Sequence, residues 1–137
     1  MDELDQKIIE ILKKDSRTSF VGIGKTIGLS EAAVRRRVQN LVSQGMINKF
    51  TIEVNAGQGA SAITLIAASP QVPTQRMTDT LRTMEGVDVV YEITGQYDIA
   101  VILSAPTIAE INLCIDDVRK IEGVANTNTL IILRTLR

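Results

Sequence analysis

The tripeptide Glu-Gly-Val occurs twice, at 85–87 and at 122–124, and each copy follows a helix-like stretch and precedes a β-rich one. The first half reads AITLIAAS as a strand, about Thr74 to Met84 as a helix, then EGV, then DVVYEIT as a strand. The second half reads DIAVILSA as a strand, TIAEINLCIDDVRKI as a helix, EGV again, and TNTLIILRTL as a strand. Two β-α-β halves in tandem predict β-α-β-β-α-β, the ferredoxin-like order. In AITLIA and IAVIL, odd and even positions alike are apolar or small. Helices cover only one face of such a sheet. The other face calls for a second copy of the sheet, or is tolerated in water because its residues are small.

Residues ahead of this repeat follow a helical period. Asp2 can cap a helix over 2–15 with Leu4, Ile8, Ile11 and Leu12 on one stripe. A short second helix, FVGIGKTIG, carries Gly22 and Gly24, each costing up to ~1 kcal/mol relative to alanine, so packing must hold it. Gly28 sits where a left-handed C-terminal residue belongs. Ser30 can cap a third helix reaching about Gln44, with Glu31 in its first turn. Gly45 ends that helix, and MINKFTIEV reads as a strand. Three helices and a strand, with a tight turn between the second and third helices, are the order of a winged helix-turn-helix. The expected fold is therefore α+β: a winged helix-turn-helix at 1–52, a linker at 53–60 and a ferredoxin-like domain at 61–137.

Charge separates the two parts. Net charge is −1, yet residues 1–53 carry nine Lys or Arg against seven acids, and 54–137 carry six against nine. Between 17 and 49 the only acid is Glu31, against six basic residues. Three of those form the run VRRRV. At ~100° per residue, Val34, Val38, Leu41 and Val42 share a stripe, Arg36 points away from it, and Arg35 and Arg37 flank it. Arginine can bond a guanine edge bidentately or neutralise phosphate, and Ala32 near the helix start would allow close entry into the major groove. Lys25 and Lys49 suit phosphate better than bases. The competing reading is a solvated face, with Arg37 paired to an acid of the first helix.

The turn Gly95-Gln96-Tyr97-Asp98 joins the two central strands of the tandem. Free amides near Gly95 could hold a carboxylate, Asp98 an ammonium, and Tyr97 could wall the site, a set suited to a free amino acid. The same residues also make an ordinary hairpin turn. Cys114 suits a small apolar position in its helix.

Several classes are disfavoured. With no histidine and one cysteine, a zinc site or a Ser-His-type triad has almost nothing to be built from, and no metal or cofactor is expected. Aromatics at 3% are too few for a base-stacking RNA reader. No apolar run reaches membrane length, and MDELDQK lacks the features of a secretion signal, so a cytoplasmic protein is expected.

The segments DELDQKIIEILKKDSRTSF and IGLSEAAVRRRVQNLVSQGMINKFT resemble the DNA-binding half of the Lrp/AsnC (feast/famine) transcription regulators. EGVDVVYEITGQYDIAVIL and EGVANTNTLIIL resemble the effector half, so the likeness covers nearly the whole chain. It is greatest to archaeal members governing lysine biosynthesis. Departures are Gly24, where alanine is common, and a short tail after the last strand. The resemblance implies a non-enzymatic regulator that binds double-stranded DNA through Ser30, Glu31, Ala32, Arg35, Arg36 and Arg37, with Lys25 and Lys49 on phosphate. It implies a free amino acid as effector, lysine first, glutamine or arginine next, held between dimers by Gly95, Gln96, Tyr97 and Asp98. Thr127, Asn128 and Thr129, by themselves only a strand edge, would complete that site. Asp116, on the second helix of the tandem, could select a basic side chain or be a solvated surface carboxylate. It further implies a homodimer, assembling to an octamer, with two reading helices on successive turns of a pseudo-palindrome. Sirohaem decarboxylases share this architecture but work through histidines, which this chain lacks. A metabolite sensor without DNA binding is opposed by the intact basic patch.

Overall fold

The computed structural model describes residues 1–54 and 59–137. The chain divides into two compact units, Met1–Val54 and Asn55–Arg137. Residues 55–58, half of the linker expected at 53–60, lie outside the described residues.

In the first unit, α1 spans Glu3–Lys14, α2 Phe20–Ile27 and α3 Glu31–Ser43. Asp2 caps α1 reciprocally: the Asp5 amide donates to Asp2 Oδ1 at 2.9 Å and the Asp2 amide to Asp5 Oδ2 at 3.0 Å. Ser19 caps α2 through the Gly22 amide, and Ser30 caps α3 through the Ala33 amide. Ile8, Leu12, Ile23, Val34, Val38 and Leu41 form the core. Val42, expected on the α3 stripe, is instead 44% exposed at its edge.

The turn between α2 and α3 is built around Gly24. Its carbonyl accepts from the Gly28 and Leu29 amides at 2.8 and 2.9 Å. A Cβ added at Gly24 would lie 2.3 Å from the Leu29 carbonyl oxygen. The helix cost of this glycine is thus offset by a close backbone approach that alanine could make only by displacing the turn.

The segment expected as a strand, 46–54, is not one among the described residues. Its alternating Phe50, Ile52 and Val54 are exposed, Ile52 by 75%. A strand is stabilised by cross-strand partners, and this unit supplies none.

In the second unit the order is β1 (Ala60–Ala68), α4 (Thr74–Arg82), β2 (Val87–Glu92), β3 (Ile99–Ala105), α5 (Ile108–Arg119), β4 (Val124–Ile131). The sheet is ordered β2-β3-β1-β4 with antiparallel neighbours, as the tandem predicts. The EGV glycines serve equivalent roles. Gly86 and Gly123 take φ of +87° and +97° where each helix hands over to its strand. Gly86 O accepts from the Ser104 amide and Gly123 O from the Ser69 amide, so each half ties down the central strand of the other.

One face of the sheet is covered. Ala62, Thr64 and Ile66 of β1, and Ile99, Val101 and Leu103 of β3, are buried beneath Met77 and Leu81 of α4 and Ile111, Ile115 and Val118 of α5. The opposite face is open within the unit. Register places Val89, Ile102, Ile63 and Leu130 in one row across it, and Tyr91, Ala100, Leu65 and Asn128 in the next. The last strand, expected to run on to 136, ends at Ile131. The Ile132 amide still bonds Ser61 O, one residue from the start of β1 at Ala60.

Candidate DNA-reading helix and effector turn

The three arginines of α3 meet three different environments. Arg37 points back to α1, where Nη1 lies 2.7 Å from Asp2 Oδ2 and 2.9 Å from Asp5 Oδ1. Its side chain is only 26% exposed. The Asp5 amide first, and the Arg37 guanidinium second, hold the Asp2 carboxyl below the ordinary aspartate range. Arg35 pairs with Glu31 one helical turn earlier, and its Cζ lies 5.4 Å from the centre of the Phe20 ring. Arg36 is exposed and makes no ion pair among the described residues. The basic run therefore does not lack counter-charges. Two lie outside the 17–49 window, at Asp2 and Asp5, and the third is Glu31 itself.

Around these, Ala32, Gln39 and Asn40 are exposed on α3, and Lys25 and Lys49 are exposed beyond it. Ser30 is exposed, but its hydroxyl is used by the cap. A cavity of about 260 Å³ beside Arg36 and Arg37 is lined also by Met1, Asp5, Asn40, Leu41 and Gln44. Sequence reasoning missed Phe20, because its contact with Arg35 is made between helices. The Glu31–Arg35 pair was signalled by its four-residue spacing.

The turn in the second unit is more committed to its own sheet. Gly95 and Gln96 are exposed, with Gly95 at φ +113°, and Tyr97 and Asp98 are half-buried. Asp98 makes three structural bonds. Its amide donates to Ile66 O at 2.9 Å and its carbonyl accepts from the Ile93 amide at 2.9 Å. Its Oδ2 accepts from the Ala68 amide at 2.7 Å, satisfying the end of β1. One carboxylate oxygen expected to face an ammonium is thus already engaged.

The Thr127-Asn128-Thr129 segment does not present one set of side chains. Strand alternation sends Thr127 and Thr129 to the helix-covered face and Asn128 to the open one. Thr127 Oγ1 accepts from Arg119 Nε at 3.2 Å, and Thr129 Oγ1 lies 3.1 Å from Thr64 Oγ1. Thr127 sits opposite Ile66, whose carbonyl takes the Asp98 amide, so the turn and Thr127 share one end of the sheet. Asp116 is paired with Arg119, 3.5 Å from its Nη1, and so joins Thr127 through that guanidinium. Burial pushes the Cys114 thiol up, and Asp117 adds to the shift; the sulfur lies 3.7 Å from Glu85 O.

Comparison with known proteins agrees with both halves. The AsnC-type helix-turn-helix domain matches residues 1–42, and the Lrp/AsnC ligand binding domain matches residues 61–137. The chain is 47% identical over 135 residues to the HTH-type transcriptional regulator LysM of Saccharolobus solfataricus, covering 98% of this chain and 95% of that one. It is 42% identical to the regulator LysM of Sulfurisphaera tokodaii, covering 98% and 96%. In fold it is similar to a feast or famine regulatory protein of M. tuberculosis, with a TM-score of 0.89 at 24% identity, covering 99% and 94%. The chain belongs to the Lrp/AsnC family and is a DNA-binding transcription regulator rather than an enzyme.

Proposed function

We propose that α3 enters the major groove of an operator and that a free amino acid, bound near the turn at 95–98, changes operator affinity or assembly. The observation that carries the first part is Arg36, an exposed guanidinium without an ion pair among the described residues, on the helix that follows a well-packed turn. Arg36 is the reader, Arg35 reaches base or phosphate, and Arg37 is a brace between α1 and α3. Ala32 lets α3 approach closely, Ser30 and Glu31 order its first turn, and Lys25 and Lys49 contact phosphate.

Gly95, Gln96 and Tyr97, with the remaining oxygen of Asp98, take the amino-acid end of the effector. Thr127 and Asp116, joined through Arg119 at the same end of the sheet, lie toward its side chain, whereas Thr129 is engaged by Thr64 and Asn128 faces the open side. Lysine is the first effector to test, then glutamine and arginine; the M. tuberculosis protein was solved with L-methionine. A lysine ammonium would draw Asp116 away from Arg119, which couples its arrival to β4 through Thr127. The open sheet face pairs with a second copy to form a homodimer, and dimers assemble to an octamer around the effector sites.

The test is a mobility-shift titration on the protein's own promoter, with each amino acid added in turn and the particle mass followed by analytical ultracentrifugation. Lysine should change affinity or mass. If no amino acid changes either, the effector role of the turn falls. If the protein shows no promoter preference at moderate salt, the DNA-reading role falls.

A further inference from the structure

The Glu31–Arg35–Phe20 contacts distinguish Arg35 from its neighbour. Glu31 lies one turn before Arg35 on the same face of α3 and takes one edge of the guanidinium. Phe20, the first residue of α2, packs against the core of its unit and presents its ring to the guanidinium carbon at 5.4 Å. A carboxylate at one edge and an aromatic face beside it restrict where the fork can point. The guanidinium has five N–H donors, so the pair with Glu31 leaves others free for a ligand. Arg36 has neither holder among the described residues.

We propose that Glu31 and Phe20 are positioning residues for base selection: they hold the Arg35 fork in one orientation, so that it discriminates a single base edge. This rests on α3 being the DNA-reading helix. An arginine that must be ordered on binding loses freedom with any sequence, whereas one already held meets the matching edge without that loss. The alternative role for Glu31 is simple neutralisation, and the two differ in sign. Removing a carboxylate near DNA raises affinity for every duplex. Removing a positioning group lowers the preference for one base.

The experiment is binding of full-length protein to a randomised duplex library, with bound sequences read out, alongside anisotropy on the selected duplex and a scrambled one. Glu31→Gln should lower discrimination at one operator position by roughly tenfold, the scale of one well-formed arginine–base pair, while scrambled-duplex affinity holds or rises. Phe20→Leu should lose preference at the same position and Phe20→Tyr should keep it. In an Arg35→Ala background, Glu31→Gln should produce no further loss. Thermal melts identify a Phe20→Leu chain that has merely lost packing, and Glu31→Gln then carries the test alone. If Arg35→Ala loses the preference while Glu31→Gln retains it within about twofold, the positioning role is overturned and α3 remains the reader. If Glu31→Gln raises affinity for all duplexes with the preference intact, neutralisation replaces it. If wild-type protein selects no sequence, the reading role of α3 is overturned as well.

Discussion

The α3 surface and the 95–98 turn are both candidate binding sites, yet they treat their polar groups in opposite ways. On α3, a local cap, a packed turn and a buried stripe fix the helix, leaving Arg36 with nothing to do for the fold. At the turn, Asp98 spends its amide, its carbonyl and one carboxylate oxygen on the ends of the central strands. Thr127, Thr129 and Asp116 likewise have partners within their unit. On the proposed function, a single chain would carry a complete reading surface but only part of an effector site. A second copy fits that difference, because the sheet also leaves Ile63, Leu65 and Ile102 on an open face.

The largest effect that sharpens this contrast is expected from Gly24→Val. Its side chain would drive into the Leu29 carbonyl and cost the first unit about 3 kcal/mol by overpacking, lowering its melting midpoint and its DNA binding together. Arg36→Ala should separate those two readouts. Binding to a selected operator should fall by roughly tenfold or more with the melting midpoint unchanged. Asp98→Ala should do the reverse. Leaving the Ala68 amide without its acceptor is expected to cost about 1–2 kcal/mol of stability in the second unit, with base preference intact. An Asp98→Ala chain that melts like wild type would show that the carboxylate is free for a ligand after all.

The smallest effect concerns Arg37. Arg37→Ala should lower the melting midpoint of the first unit slightly, with the difference shrinking but not vanishing at high salt, because Asp2 is exposed while Arg37 and Asp5 are partly buried. The pH dependence has a definite sign. Asp2 is held below its ordinary value of 3.8, so its contribution is complete above that value and is lost as pH falls through the lower folded one. Acid melts of wild type and Asp2→Asn should therefore converge at low pH and part above it.

Much of this contrast was legible in the sequence, and for local reasons. Caps, the glycine after α2 and the EGV repeat act within a few residues, so Asp2, Ser30, Gly28 and the tandem could be read directly. The exposure of Arg36 followed from helical angle alone. What was not legible depended on distant partners. Phe20 reaches Arg35 across a turn, and Asp98 caps a strand 30 residues earlier in the chain. The strand expected at 46–54 had the right alternation but no partner in its unit, and alternation alone does not supply one. The opposed faces of Thr127 and Asn128 were available from strand period, had the segment been read by face rather than by composition.

Sequence reading by α3 through Arg36 can be measured by anisotropy of wild type and Arg36→Ala on a selected operator and a scrambled duplex at one fixed salt concentration. The wild type should prefer the operator strongly, and Arg36→Ala should lose roughly tenfold or more of that ratio while binding the scrambled duplex only modestly less well. An Arg36→Ala protein that keeps the wild-type ratio within about twofold would contradict it.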